Sequence, residues 1–118
     1  MAAKDELGRR GEQLAATHLQ DRGMAVLDRN WRCATGEIDI VARDGEQLVF
    51  VEVKTRAGLG FGHPLEAITH RKLARLRQLA AEWCRAHPDA RGAVRIDAIG
   101  IVIAAGRTVS VEHLAGVH

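Results

Sequence analysis

The sequence predicts an α/β domain in the order α-β-β-β-α-β-β, a mixed sheet flanked by two long helices. Three observations predict it. Apolar residues recur at helical spacing in two separate stretches, one near the start of the chain and one after its middle. Between and after them lie short runs rich in Val, Ile and Leu, of strand length. Asp44-Gly45 and Ala105-Gly106 punctuate those runs as hairpin turns, since two-residue turns favour residues that accept positive φ.

The residues mark each element along the chain. Helix one is expected from about Lys4 to Asp21, with Leu7, Gly11, Leu14, Ala15 and His18 as its core-facing stripe and Glu12 at the edge beside Leu19. Gly23 is placed to end it as a C′ glycine. Met24 to Arg32 reads as the first strand, with Ala25, Leu27 and Arg29 on one side and Met24, Val26 and Asp28 on the other. About Glu37 to Ala42 and Gln47 to Thr55 form a central hairpin. Helix two is expected to start at Pro64, a residue tolerated in a first turn. It should run to about His87, where Pro88 discourages continuation. Leu65, Ile68, Leu76, Leu79, Ala80 and Trp83 form its apolar face, with Cys84 beside it. Val94 to Ile103 and Arg107 to His113 make the last hairpin.

At 118 residues the chain is one domain by size, residues 1–118, with no room for a separate target-recognition domain. Aromatics are only 3% of the residues, which argues against base-stacking platforms and leaves Leu, Ile, Val and Ala to fill the core. The net charge of +2 decides little, so the placement of charge matters more. Cys33 and Cys84 lack metal-ligand spacing and make no disulfide framework, which reads as free thiols and a cytoplasmic compartment. The first six residues lack the apolar stretch of a signal peptide, and no run approaches membrane-spanning length. No two of the 6 histidines have HExxH or HxH spacing, which excludes a zinc site of those types. Ser110 has no nucleophile-elbow context.

The central hairpin carries charge where a strand should be bland. Asp39 lies in Gly36-Glu37-Ile38-Asp39-Ile40-Val41, and Glu52 and Lys54 in Phe50-Val51-Glu52-Val53-Lys54-Thr55-Arg56. If Asp44-Gly45 is the turn, Arg43 faces Glu46, Asp39 faces Phe50 and Glu37 faces Glu52. Side chains alternate across a strand, so Glu37, Asp39, Glu52 and Lys54 emerge on one face, with Asp39 diagonal to Glu52. Two carboxylates about 5 Å apart repel by roughly 1 kcal/mol in water and by several times that at a partly buried site. A divalent cation converts the repulsion into binding. Oxygen ligands with open positions suit Mg²⁺ or Mn²⁺, which take phosphate oxygens and activate water. Lys54 points the same way, where it can orient water or offset charge at phosphorus. The competing explanation is a cross-strand salt bridge on a solvated face.

These residues resemble the signature of the PD-(D/E)XK nuclease superfamily, with its restriction endonuclease-like fold. The likeness extends along the chain through Gly8-Arg9-Arg10-Gly11-Glu12-Gln13-Leu14-Ala15, Asn30-Trp31-Arg32, Gly36-Glu37-Ile38-Asp39, Val51-Glu52-Val53-Lys54-Thr55-Arg56, Phe61-Gly62-His63-Pro64, Lys72 and Arg95-Ile96-Asp97. That series resembles the small bacterial YraN-like family. Its order and spacing also resemble archaeal Holliday-junction resolvases. The resemblance implies a metal-dependent nuclease site and brings in Glu12, which occupies the place of a first-helix glutamate that completes the acidic set in resolvase-like members. The alternative for Glu12 is a boundary glutamate paired with Arg9 or Arg10.

The expected function is therefore a Mg²⁺- or Mn²⁺-dependent endonuclease acting on DNA, structure-selective rather than sequence-specific. Asp39, Glu52 and Glu12 would bind metal, with the Val53 carbonyl a further ligand, and Lys54 would assist attack. Glu37 either helps the site or turns toward Arg32 or Arg56. Between Thr69 and Ala81 helix two carries His70, Arg71, Lys72, Arg75 and Arg77 and no acid, a basic ridge suited to a phosphate backbone. Arg56, Arg71, Lys72 and Arg75 are the candidate contacts, against the alternative of an ordinary solvated face. The loop Ala57-Gly58-Leu59-Gly60-Phe61-Gly62-His63 either touches the backbone or simply connects, and its His63 lies near Lys54 in sequence. Asp97 is expected to be structural, paired with Arg95 or an arginine of helix two. The alternative function is a catalytically silent nucleic-acid-binding or protein-interaction module on the same fold. RNA is a further substrate class, and a homodimer would supply the two sites that cutting two strands needs.

Overall fold

The computed structural model describes residues 5–58, 60 and 62–117. Helix α1 spans Glu6–Asp21, strand β1 Ala25–Cys33, β2 Gly36–Asp44, β3 Gln47–Arg56, helix α2 His70–Ala86, β4 Ala93–Ala104 and β5 Arg107–Leu114. This is the expected order. The five strands lie in sequence order β1-β2-β3-β4-β5. Only β3 and β4 run parallel, and the crossover between them contains α2. The sheet is therefore mixed, as parallel neighbours require a long connection and hairpins do not.

The sheet has an apolar core on each face. On one, Ala15, Ala16 and Leu19 of α1 pack on Ile40, Ala42, Val49, Val51 and Ile99. On the other, Leu73, Leu76, Leu79 and Trp83 of α2 pack on Val41, Leu48, Phe50 and Ile96. Burying both faces explains why β2, β3 and β4 read as nearly continuous apolar runs, the pattern of a strand covered twice.

Several boundaries differ from the sequence expectation. Asp5 caps α1, its carboxylate accepting from the Gly8 amide at 2.7 Å; Lys4, the expected start, lies outside the described residues. Pro64 does not open the long helix. It opens a 3-10 turn over Pro64–Ala67, and Thr69 then caps α2 separately, its hydroxyl accepting from the Lys72 amide. The β-branched pair Ile68-Thr69 and a threonine three residues before Lys72 were the signal for that break.

The central turn also differs. Asp44 pairs with Gln47, so the two-residue loop is Gly45-Glu46, with Gly45 at φ +60 and Glu46 at negative φ. A glycine at the first central position defines the II′-like turn, not the I′ turn centred on Asp44-Gly45. The ladder moves accordingly, and Ile40 faces Val51. That pair is the last of the regular ladder, so the expected pairings of Asp39 with Phe50 and of Glu37 with Glu52 do not form.

Both edge strands are bulged. The β1–β2 register shifts between Val26 and Asp28, leaving Leu27 exposed, and the β4–β5 register shifts between Val102 and Ile103, leaving Val109 exposed. The first bulge overturns the expected sidedness of β1. Val26 packs on the α1 core, whereas Asp28 accepts a hydrogen bond from Trp83 of α2 at 3.0 Å. Bulges of this kind twist an edge away from further pairing.

Candidate functional site

The site forms where β2 and β3 part. Their regular pairing runs from Asp44–Gln47 to Ile40–Val51. Just beyond it, Asp39 Oδ2 accepts from the Val53 amide at 2.9 Å. A side-chain carboxylate thus takes up a strand amide next to the end of the ladder. Asp39 is buried at 8% exposure, and the strand is irregular around it. Ile38 and Ile40, which regular alternation would put on one face, lie in opposite cores. Asn30, between the β1 partners of Ile38 and Ile40, adopts φ +53, a left-handed conformation that asparagine tolerates better than most residues.

On the other flank β3 stays paired. Glu52 and Lys54 lie beside Ala98 and Gly100 of β4. Phe50 belongs to the α2-side core and Val51 and Val53 to the α1 side, so alternation puts Glu52 and Lys54 on the α2 face.

Glu12 arrives from α1. The buried residues of that helix are Gly11, Glu12, Ala15, Ala16 and Leu19. Glu12 therefore sits within the buried face at 3% exposure, not at its edge. Gly11 makes this approach sterically feasible. A Cβ on Gly11 would fall 1.8 Å from Thr55 Oγ1, so only glycine lets α1 lie this close to β3.

Asp39, Glu52, Val53, Lys54, Thr55, Glu12 and Lys72 line one cavity of about 280 Å³, together with Asp5, Leu7 and Gly8. Glu52 and Lys72 also border a neighbouring groove of about 200 Å³ with Glu37, Arg75, Leu76 and Leu79. Larger grooves elsewhere, such as one of about 550 Å³ at Arg43–Gln47 and Arg91–Ala93, do not gather these groups. Glu37 accepts from Arg32 Nε at 2.7 Å, which turns it toward the rim as one of the sequence alternatives had it. Arg75 reaches the Thr35 carbonyl at 3.1 Å, tying the β1–β2 turn to α2. Lys72, Arg71 and Arg75 are exposed.

His63 is used differently. Its Nδ1 accepts from the Leu65 amide, and its Nε2 lies 2.9 Å from Glu112 of β5. It fastens the connector to β5 and does not line the acidic cavity. Leu59 and Phe61 of the glycine loop lie outside the described residues.

The donor chemistry can be compared with a divalent cation. Among the described residues no three His, Cys, Asp or Glu side chains are gathered tightly enough to enclose an ion. Mg²⁺ does not need such a cage, because it keeps several waters and takes one or two carboxylates plus substrate phosphate. Asp39 and Glu52, which share the cavity with Glu12 and Val53, fit that mode.

Fold and cleft together define a small α/β domain with an acidic, lysine-bearing pocket at a strand fork. Residues 11–101 match the model of the uncharacterised protein family UPF0102. A UPF0102 protein of Clavibacter michiganensis subsp. michiganensis is 57% identical over 112 residues, covering 95% of each chain. A UPF0102 protein of Leifsonia xyli subsp. xyli is 56% identical over 117 residues, 99% of each. One from Frankia alni is 53% identical over 116 residues, 98% of this chain and 97% of its own. The chain belongs to the UPF0102 family, the YraN-like family that its motifs resemble, and with it to the PD-(D/E)XK superfamily.

Proposed function

We propose that this protein is a Mg²⁺- or Mn²⁺-dependent endonuclease that hydrolyses phosphodiesters in DNA, selecting by structure rather than sequence. The observation that carries the reading is the convergence of Asp39, Glu52, Lys54 and Glu12 on one cavity at the end of the β2–β3 ladder. Asp39 and Glu52 would supply carboxylate ligands, with the Val53 carbonyl a further oxygen and Glu12 completing the shell directly or through water. The cation, when bound, supplies charge neutralisation at the scissile phosphate. The Val53 amide holds the Asp39 carboxylate in place. Lys54 orients the attacking water and offsets negative charge developing on the phosphoryl oxygens.

Lys72 lines the cavity, and Arg75 with Lys72 extends its border along α2, so the nucleic-acid backbone is led across the N-terminal half of that helix. Arg71 adds to the ridge. Arg56, two residues beyond Lys54 on β3, is the remaining candidate. Its buried Nε has no hydrogen-bond partner among the described residues, and the phosphate contact falls to its terminal guanidinium nitrogens.

A second reading, a binding module that holds nucleic acid or a protein without cutting, draws on the lack of a three-ligand cage among the described residues. A homodimer suits two-strand cutting, though the bulged edges disfavour one made by joining sheets. Free Cys33 and Cys84 suit a reducing, cytoplasmic compartment. Among the described residues no helix is long and apolar enough to cross a membrane. The discriminating experiment measures cleavage and binding of the same labelled DNA by wild-type and Asp39→Ala proteins. Cleavage lost with binding kept supports the endonuclease. Cleavage at the wild-type rate by Asp39→Ala refutes the assignment, and cation-stimulated binding with no product from wild type favours the binding module.

A further inference from the structure

Toward the other end of α1 lies a chain of ionisable groups that the cleft does not use. His18 Nε2 of α1 is 3.1 Å from His113 Nδ1 of β5. His113 Nε2 is 2.7 Å from Asp97 Oδ2 of β4. Asp97 is fully buried and also accepts from Arg95 Nε and Nη2 and from the Gly116 amide, at 3.0, 3.1 and 3.0 Å. Arg95 Nη1 continues to Asp44 and Gln47, both at 2.9 Å. One network thus joins α1, both strands of the last hairpin, the C-terminal segment and the central turn.

The geometry limits the protons the network can hold. Ionised Asp97 only accepts, so His113 Nε2 carries a hydrogen. A neutral His113 then has a bare Nδ1, which accepts from His18 Nε2–H. The imidazole pair tolerates one extra proton and keeps that bond. A second would set two N–H groups against each other across 3.1 Å. Two free imidazoles, as in the unfolded chain, take both protons near their ordinary value.

We propose that the His18–His113–Asp97–Arg95 chain is a proton-sensitive clasp that holds α1, and with it Glu12, against the sheet and loosens as pH falls. The charged groups around His18 agree in direction. Burial, His113 and Arg22 all hold its pKa below the ordinary 6.5, and only Asp21 opposes them. The remaining charges facing the clasp are Arg95 and Asp97 from β4 and Asp44 from β2, already paired among themselves, and Glu112 beside His113 on β5, paired with His63. The folded state therefore binds fewer protons at His18 than the unfolded chain. Its contribution is complete above about pH 6.5 and is lost as pH falls through the lower folded value.

The test is urea unfolding of the full chain between pH 8 and pH 5, comparing wild type with His18→Gln, whose amide keeps a donor but does not titrate. The wild-type unfolding constant should rise by up to about tenfold more than the variant's for each pH unit below 6.5, the limit set by one differentially bound proton. Parallel curves overturn the proposal. Ring-proton NMR of the wild type gives an independent reading should the variant fail to fold. A His18 titration below 6.5 upholds the clasp, and one at or above 6.5 overturns it.

Discussion

Asp39 and Asp97 are both buried aspartates in apolar strands, yet they sit in opposite circumstances. Asp97 is enclosed by the protein's own donors: an arginine fork, an imidazole and a main-chain amide. Burial alone would push its carboxyl up, but the hydrogen bonds from His113, Arg95 and Gly116 outweigh that and hold it below its ordinary value. Asp39 accepts from a strand amide and lines a cavity shared with Glu12, Glu52 and Lys54. A carboxylate surrounded by donors stabilises the fold; carboxylates gathered at an accessible cavity repel each other and so favour a cation. The difference comes from the ladder. β4 stays paired with β3 through Asp97, opposite Val51, while the β2–β3 ladder's last regular pair is Ile40–Val51, next to Asp39.

The comparison can be broken most sharply by exchanging consequences. Asp39→Ala and Glu52→Ala should reduce cleavage to background. Glu52→Ala should leave urea stability unchanged or higher, because a like-charge repulsion is relieved, and Asp39→Ala should cost about 1–3 kcal/mol at most, for the Val53 amide left without its acceptor. Lys54→Ala should lower kcat by roughly 10²–10³-fold, the scale for losing one donor to developing charge. Asp97→Ala should do the reverse. It should cost roughly 3–5 kcal/mol, since Arg95 and His113 lose a buried partner, and lower cleavage per folded molecule far less than Asp39→Ala does. The same carboxylate sets an acid limb. Its stabilisation is present above about pH 3.8, its ordinary value, and lost as pH falls through the lower folded one. Asp97→Asn should flatten that limb in an acid-unfolding series.

A smaller effect probes how Glu12 reaches the cleft. Gly11→Ala should destabilise by about 1–3 kcal/mol through overpacking against Thr55 and lower cleavage as α1 is pushed outward. Thr55→Gly in the same chain should recover part of both losses, a coupling measurable in a double-mutant cycle. The smallest effect belongs to the ridge. Lys72→Ala or Arg75→Ala should weaken binding to all DNA sequences alike and reduce the log–log salt slope by about 1 for each phosphate contact removed.

Much of this was legible in the residues. Helical spacing, strand runs and the Gly23 signal placed the elements, whereas Pro64 marked only the 3-10 turn ahead of α2. Asp39 with Glu52-x-Lys54 pointed to the residues that line the cavity. Turn chemistry was less legible, because Asp-Gly suits two turn types and only the closing pair Asp44–Gln47 distinguishes them. The β1 bulge at Leu27 had no local signal, so Asp28 was assigned to the wrong side. The position of Glu12 depended on the close contact of Gly11 with Thr55, a tertiary fact that helical periodicity does not contain. For Asp97, the expected partner was Arg95 or an arginine of helix two, and it is Arg95, while His113, His18 and Gly116 join through strand pairing and the C-terminal segment.

The most direct test of the central claim is cleavage of labelled single strands, duplex, flaps and four-way junctions by the pure protein in Mg²⁺ or Mn²⁺, with EDTA and Glu52→Ala as controls. The account predicts strand scission of at least one branched or single-stranded substrate, abolished in both controls. Folded protein that cuts none of them in either cation, or a product that survives Glu52→Ala, would contradict it.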